Sequence, residues 1–300
     1  MTQEHDPDFL ALVPEPDAIE TLGDGFWFLE GPVWVPGRGD DPAHLIFNDI
    51  PGQVRRRWDL DGTITELARP TDFANGMTLD HQGRLIICEH GTSRVIRLEP
   101  TGSVTLLADR HDGRGLNSPN DVIVADDGAV WFTDPPYGRR AVHGIERPLV
   151  MPYRGVYRIA EPDAGAPPVL MIADLQTPNG LCFSPDRRYL YIDDTEAMRI
   201  MRYTVAADGS LSDGGVFFDM EQPFDGEVGF PDGLKCDEHG NLWVSGPGGI
   251  WVVGPDGRHL GSIATPSVVA NFCFGGPDGT WLFICASDRL LRLRTNVHSA

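Results

Sequence analysis

The chain has 300 residues and a mass of 32.9 kDa, with a formal net charge of −20 and a pI near 4.6. A surface that negative repels nucleic acid and anionic membranes, supports solubility and makes a bound divalent cation easier to hold. The 35 glycines and 25 prolines suit an all-β chain rich in turns, long helical periodicity is absent, and no apolar run approaches the roughly 18 residues needed to span a bilayer.

Residues 1–16 are polar and Pro-containing and read as a flexible arm, with no apolar stretch of the secretory type. Residues 17–23 look like one strand without a partner nearby. From Glu30 the chain becomes periodic. Glu30-Gly31-Pro32 leads through Gly37-Arg38-Gly39 to an apolar run over 44–47, then to strands over 54–58 and 63–67 around Asp61-Gly62. Asn75-Gly76 leads to Gly83 and the run 84–88, followed by two strands flanking Thr101-Gly102. Asn120-Asp121 leads to Asp127-Gly128 and 129–134; a stretch over 135–154 with little periodicity interrupts this copy, and its outer strands resume over 155–159 and 169–173. Asn179-Gly180, Asp232-Gly233 and Asn271-Phe272 open three further copies, with a Gly- and Pro-rich loop over 222–231. The last copy is one strand short. The five cysteines, Cys88, Cys182, Cys236, Cys273 and Cys285, sit in apolar strands without a CxxC pair. They read as small buried hydrophobes in a reducing cytoplasm.

In all six copies the hairpin turn falls about 8 residues after the opening polar residue. The openings are Glu30, Asn75, Asn120, Asn179, Asp232 and Asn271, spaced by 45, 45, 59, 53 and 39 residues, and each carries a side-chain oxygen. Repeats of roughly 40 to 50 residues holding several short strands are the signature of a β-propeller. The expected fold is therefore an all-β, six-bladed propeller over 17–300, closed by the N-terminal strand completing the last blade, which leaves no free sheet edge. In such a ring the first strand of each blade lines the channel, so the six openings meet at one mouth. Two carboxylates and four amides form a set of hard oxygen donors suited to Ca²⁺ or Mg²⁺, and no Cys or His pair has zinc spacing. A single Asn-Gly or Asp-Gly pair is an ordinary turn; six openings in one register favour a converged site, with a purely structural metal as the milder alternative. Each second strand ends near the same mouth, where Asp49, Glu89-His90, Asp134 and Asp193-Asp194 are candidates for proton transfer, and His90 is the imidazole of this set.

Several segments together resemble the gluconolactonase, senescence marker protein (regucalcin) and luciferin-regenerating enzyme family. They are Glu30-Gly31-Pro32-Val33-Trp34, Ala74-Asn75-Gly76-Met77, Cys88-Glu89-His90-Gly91, Ser118-Pro119-Asn120-Asp121-Val122, Pro178-Asn179-Gly180-Leu181, Pro231-Asp232-Gly233 and Asn271-Phe272-Cys273-Phe274-Gly275-Gly276. Thr133-Asp134-Pro135-Pro136-Tyr137-Gly138 is similar to the bacterial gluconolactonase branch. The resemblance implies a six-bladed propeller binding one divalent cation, commonly Ca²⁺, with Zn²⁺, Mn²⁺, Mg²⁺ or Fe²⁺ in some members. It implies metal ligands Glu30, Asn179 and Asp232, with Asn120 a ligand or close neighbour, and Asp232 as general base or nucleophile. It puts Asn75, Asn120 and Tyr137 at substrate-contacting positions. The regucalcin branch carries an arginine for sugar lactones where this chain has Ser118, so another donor is expected, from Arg139, Arg140 or Arg154. The activity implied is opening of a sugar lactone to the aldonic acid, with His90 or a second water protonating the departing oxygen. Two rivals are a phosphotriesterase-like hydrolase resembling diisopropyl fluorophosphatase and a non-catalytic interaction platform. The expected partner is a small lactone, with neither nucleic acid nor membrane, for a cytoplasmic monomer or homodimer.

Overall fold

Six four-stranded antiparallel sheets follow one another along the chain, each a meander running outward from a common axis. The coordinates, a computed structural model, describe residues 6–220 and 228–300; most of the loop expected over 222–231 lies outside the described residues. The inner strands are Leu29–Val35, Ala74–Leu79, Val122–Val124, Pro178–Phe183, Leu234–Cys236 and Asn271–Gly275. Glu20–Asp24 pairs antiparallel with Arg289–Arg294 as the outermost strand of the last blade. The six-bladed fold and its mode of closure are as the repeats predict. The first strand begins three residues later than expected, at Glu20 rather than Asp17.

Side-chain alternation explains the ring. Each blade turns apolar residues to both faces, and each face packs against the neighbouring blade, so the buried side chains divide into six clusters between blades. The cysteines are free and buried in these seams.

The arm expected over 1–16 needs correction. Pro7–Leu12 form a helical turn capped by the Asp6 carboxylate, which accepts from the Asp8 amide at 2.8 Å. Phe9 and Val13 are fully buried against blades five and six. An N-cap acid followed by proline at the first helical position is a start signal that the surrounding polar residues masked.

The insertion over 135–154 is tied down, with one 3₁₀ turn at Tyr137–Arg139. Arg139 donates to the carbonyls of Leu116, Asn117 and Pro148. Arg147 donates to the His90 carbonyl at 2.6 Å and to Ser93 Oγ at 2.7 Å. A guanidinium offers five donors in a rigid fork, enough to satisfy carbonyls that an irregular loop leaves open. No described helix is long and apolar enough to cross a membrane.

Candidate active site at the hub of the ring

Neighbouring inner strands come very close at the axis. A Cβ on Gly180 would stand 2.1 Å from the Asp232 carbonyl oxygen, and one on Gly31 would stand 2.1 Å from that of Asn75. The Asn-Gly and Asp-Gly pairs that open the copies, at 75–76, 179–180 and 232–233, therefore do not form turns. They pair a polar residue at the hub with the one residue type that lets the next blade approach. The hairpin turns lie eight positions on, where Gly83, Gly128, Arg187, Gly240 and Gly279 adopt positive φ of 77°, 83°, 59°, 85° and 75°.

Glu30, Asn120, Asn179 and Asp232, from four blades, line one cavity of about 130 Å³ at one mouth of the channel. Asn75, His90 and Tyr137 line it too. Asn271 stands behind this set, donating from Nδ2 to Glu30 Oε2 at 3.1 Å and accepting from Lys235 Nζ at 3.2 Å.

The hydrogen bonds fix which atoms face inward. Glu30 Oε2 accepts from Asn271 and from the Gly31 amide at 2.7 Å, which leaves Oε1 for the cavity. Asn179 donates its Nδ2 to Thr195 Oγ1 at 3.2 Å, turning its carbonyl oxygen the other way. His90 Nδ1 lies 3.0 Å from the His143 carbonyl, an acceptor only, so Nδ1 carries the proton. Its Nε2 then accepts from Asn75 Nδ2 at 3.0 Å, with Asn120 Nδ2 at 3.5 Å. Asn75 Oδ1 is buried without a partner. Burial lowers the His90 pKa to about 4, so the ring is neutral at pH 7. The role expected of His90 as proton donor is corrected on these grounds: its one proton is committed to a carbonyl and its lone pair to an amide. Its effect is to hold Asn75.

Among the second-strand carboxylates, Asp49, Asp134 and Asp194 share one structural task. Asp134 accepts the Asn117 and Ser118 amides at 2.8 and 2.7 Å, and Asp194 accepts those of Gln176 and Thr177 at 3.0 and 2.7 Å. Asp49 accepts those of Trp27 and Phe28 at 3.2–3.3 Å. Each fixes the backbone two and three residues before a hub residue. Glu89 is spent on Thr92 and Arg94. Asp193 is buried at the hub, its Oδ2 without a partner.

Electrostatically the hub is overloaded with negative charge. Burial raises the Glu30 carboxyl to about 7, and the neighbouring Asp121 adds to this. Burial, Glu30 and Asp121 push Asp232 well up, and burial with Asp232 and Asp121 does the same to Asp193. Lys235 faces them from the far side, 3.9 Å from Asp121 Oδ2. No cluster of three or more His, Cys, Asp or Glu positioned for a metal occurs among the described residues, because the inward set is half amide. Two carboxylates and two amide oxygens on a buried, mutually repelling site fit a hard divalent cation.

Above this polar floor the walls are apolar: Phe28, Ile50, Phe230 and the ring of His143, which packs on Phe28 at 4.9 Å. Residues between blades carry no periodic signal, so these walls were invisible in the sequence, as were Asp121 and Lys235. The arginines expected to meet a polyol do not line the cavity. Arg139 serves loop carbonyls, Arg140 lies over the Tyr137 ring and pairs with Glu196 at 3.6 Å, and Arg154 is elsewhere. Ser118 is buried, bonded to the Pro135 carbonyl and the Gly138 amide. A second cavity of about 330 Å³ opens at the other end of the channel, with Asp121 and Lys235 in its lining.

Residues 28–288 match the family model described as the SMP-30/Gluconolactonase/LRE-like region. A gluconolactonase of Zymomonas mobilis is 32% identical over 308 residues, covering 96% of this chain and 84% of that protein. The solved structure of a gluconolactonase from Xanthomonas campestris superposes with a TM-score of 0.86 at 36% identity, covering 98% of this chain and 96% of that one. A calcium-binding regucalcin of Agrobacterium tumefaciens shares the fold, with a TM-score of 0.74 at 22% identity over 93% of this chain and 94% of that one.

Proposed function

The chain belongs to the SMP-30/gluconolactonase/LRE-like family and is a lactone-hydrolysing enzyme, a carboxylic ester hydrolase acting on sugar lactones; we propose that it works with one divalent cation, Ca²⁺, held by Glu30, Asn120, Asn179 and Asp232. One observation carries this reading. Oxygen-bearing side chains from four blades line one cavity, and the amide nitrogens of Asn120 and Asn179 are engaged by His90 and Thr195, which leaves their carbonyl oxygens for the cation.

In the reaction a water oxygen bonds to the lactone carbonyl carbon and the bond to the ring oxygen breaks. One water proton ends on the freed alcohol, and the acid formed ionises at neutral pH. A cation held by Glu30, Asn120, Asn179 and Asp232 would supply Lewis-acid polarisation of the carbonyl. Asp232 accepts the proton of the attacking water. Buried, like-charged surroundings raise its pKa without the cation; a bound cation would lower it again, leaving a modest carboxylate base for a water that the same cation acidifies. Asn75 Oδ1, held by His90, accepts a hydrogen bond from the substrate or the water. Burial keeps the Tyr137 hydroxyl protonated, so it serves as a donor toward the departing oxygen.

Elemental analysis of the purified protein, joined to a pH-drop assay on glucono-1,5-lactone, tests the proposal. Asp232→Ala and Glu30→Ala should each lower kcat/KM by at least about 100-fold, and chelation should abolish turnover until Ca²⁺ is restored. Full turnover after exhaustive chelation would sink the metal role.

A further inference from the structure

The cavity has two chemically different halves. Its floor carries the groups that meet the ester. Its upper wall, formed by Phe28, Ile50 and Phe230 with the His143 ring, offers carbon surface. No lysine or arginine lines the cavity among the described residues. Thr195 is already committed, accepting from Asn179 and donating to the Pro231 carbonyl at 2.8 Å. The wall does not end at the cavity. Phe230, in the lining, is 53% exposed. The apolar wall thus continues from the cavity to its mouth.

From this we infer a further activity: besides sugar lactones, the enzyme opens δ-lactones bearing an unbranched alkyl arm on the carbon next to the ring oxygen. Phe28 and Phe230 determine that specificity. The inference rests on the lactonase reading of the same site. When the ester group meets the floor, the substituent on the far side of the ring oxygen lies against the wall. Each methylene buried there gains affinity, and an alkyl arm buries more of them than the hydroxymethyl arm of a sugar lactone. The wall touches the substrate away from the bond that breaks, so its contribution falls on substrate binding.

The test compares kcat/KM for δ-valerolactone, δ-nonalactone and glucono-1,5-lactone in the Ca²⁺-loaded enzyme and in the Phe230→Ser and Phe28→Ser variants. Phe230 is half in solvent, so its variant should keep the wild-type melting temperature. The expected result is a nonalactone-to-valerolactone ratio of at least tenfold, arising in KM, which falls toward unity in Phe230→Ser. A wild-type ratio near one, or a ratio the serine variants leave unchanged, overturns the inference while hydrolysis of glucono-1,5-lactone preserves the lactonase reading. Failure of all three lactones overturns both.

Discussion

His90 illustrates how a side chain with the right chemistry can be put to another use. Both ring nitrogens are engaged, and burial holds the pKa at about 4 against an ordinary 6.5. Between these values the unfolded chain takes up a proton on this ring that the folded chain refuses. Stability is therefore lost as the pH falls through that window, by up to about 3 kcal/mol. Denaturant unfolding of metal-free protein at pH 7 and pH 4.5 should show this loss, and His90→Gln should flatten it; an unchanged pH slope in the variant would mean the ring titrates normally. Much of the hub was legible at this scale, because opening residues recur in a fixed register with the turn eight positions later. Their glycine partners were misleading. Asn-Gly is the same dipeptide whether it bends a hairpin or lets a neighbouring blade come within van der Waals reach, and only the second use occurs at Gly76 and Gly180. Asp121 was hidden for a related reason: it occupies the slot that glycine fills in four other copies.

Two elements outside the repeats matter more than their sequences suggest. The turn at Pro7–Leu12 seals the outer seam of blades five and six, with Phe9 fully buried over Gly261. Phe9→Ala should destabilise the fold by about 3 kcal/mol, measurable by chemical denaturation; a change under 1 kcal/mol would mean the helix rests loosely. The insertion of blade three looked structureless because nothing in it is periodic. Its order comes from arginines donating to carbonyls, a pattern that leaves no spacing to read. Through Arg147 on the His90 carbonyl and His143 on the His90 ring, it connects the third blade to the floor of the site built by the second.

At the scale of the molecule, a ring of six seams has no single core, and its integrity depends on the last seam being closed. Glu20–Asp24 completes that blade beside Arg289–Arg294. Deleting residues 1–24 should lower the melting temperature by roughly 10 °C or more, several kcal/mol in a chain of this size, and should expose a strand edge that promotes association. Light scattering over a dilution series checks the second outcome, and a monomeric truncation with unchanged melting would contradict it. The ring was readable because six repeats repeat the same pattern. The apolar cavity wall was not, since Phe28, Ile50, His143 and Phe230 come from four unrelated stretches that only closure brings together.

Lys235, Asn271 and Asp121 lie on the axis between the two cavities, joined through Lys235 and tied to Glu30 through Asn271. They make the reaction chamber a cul-de-sac. Incoming ester and outgoing hydroxy acid must share one doorway and take turns in it. The product is an anion leaving a chain of charge −20, so once it is past the doorway the surface repels its return.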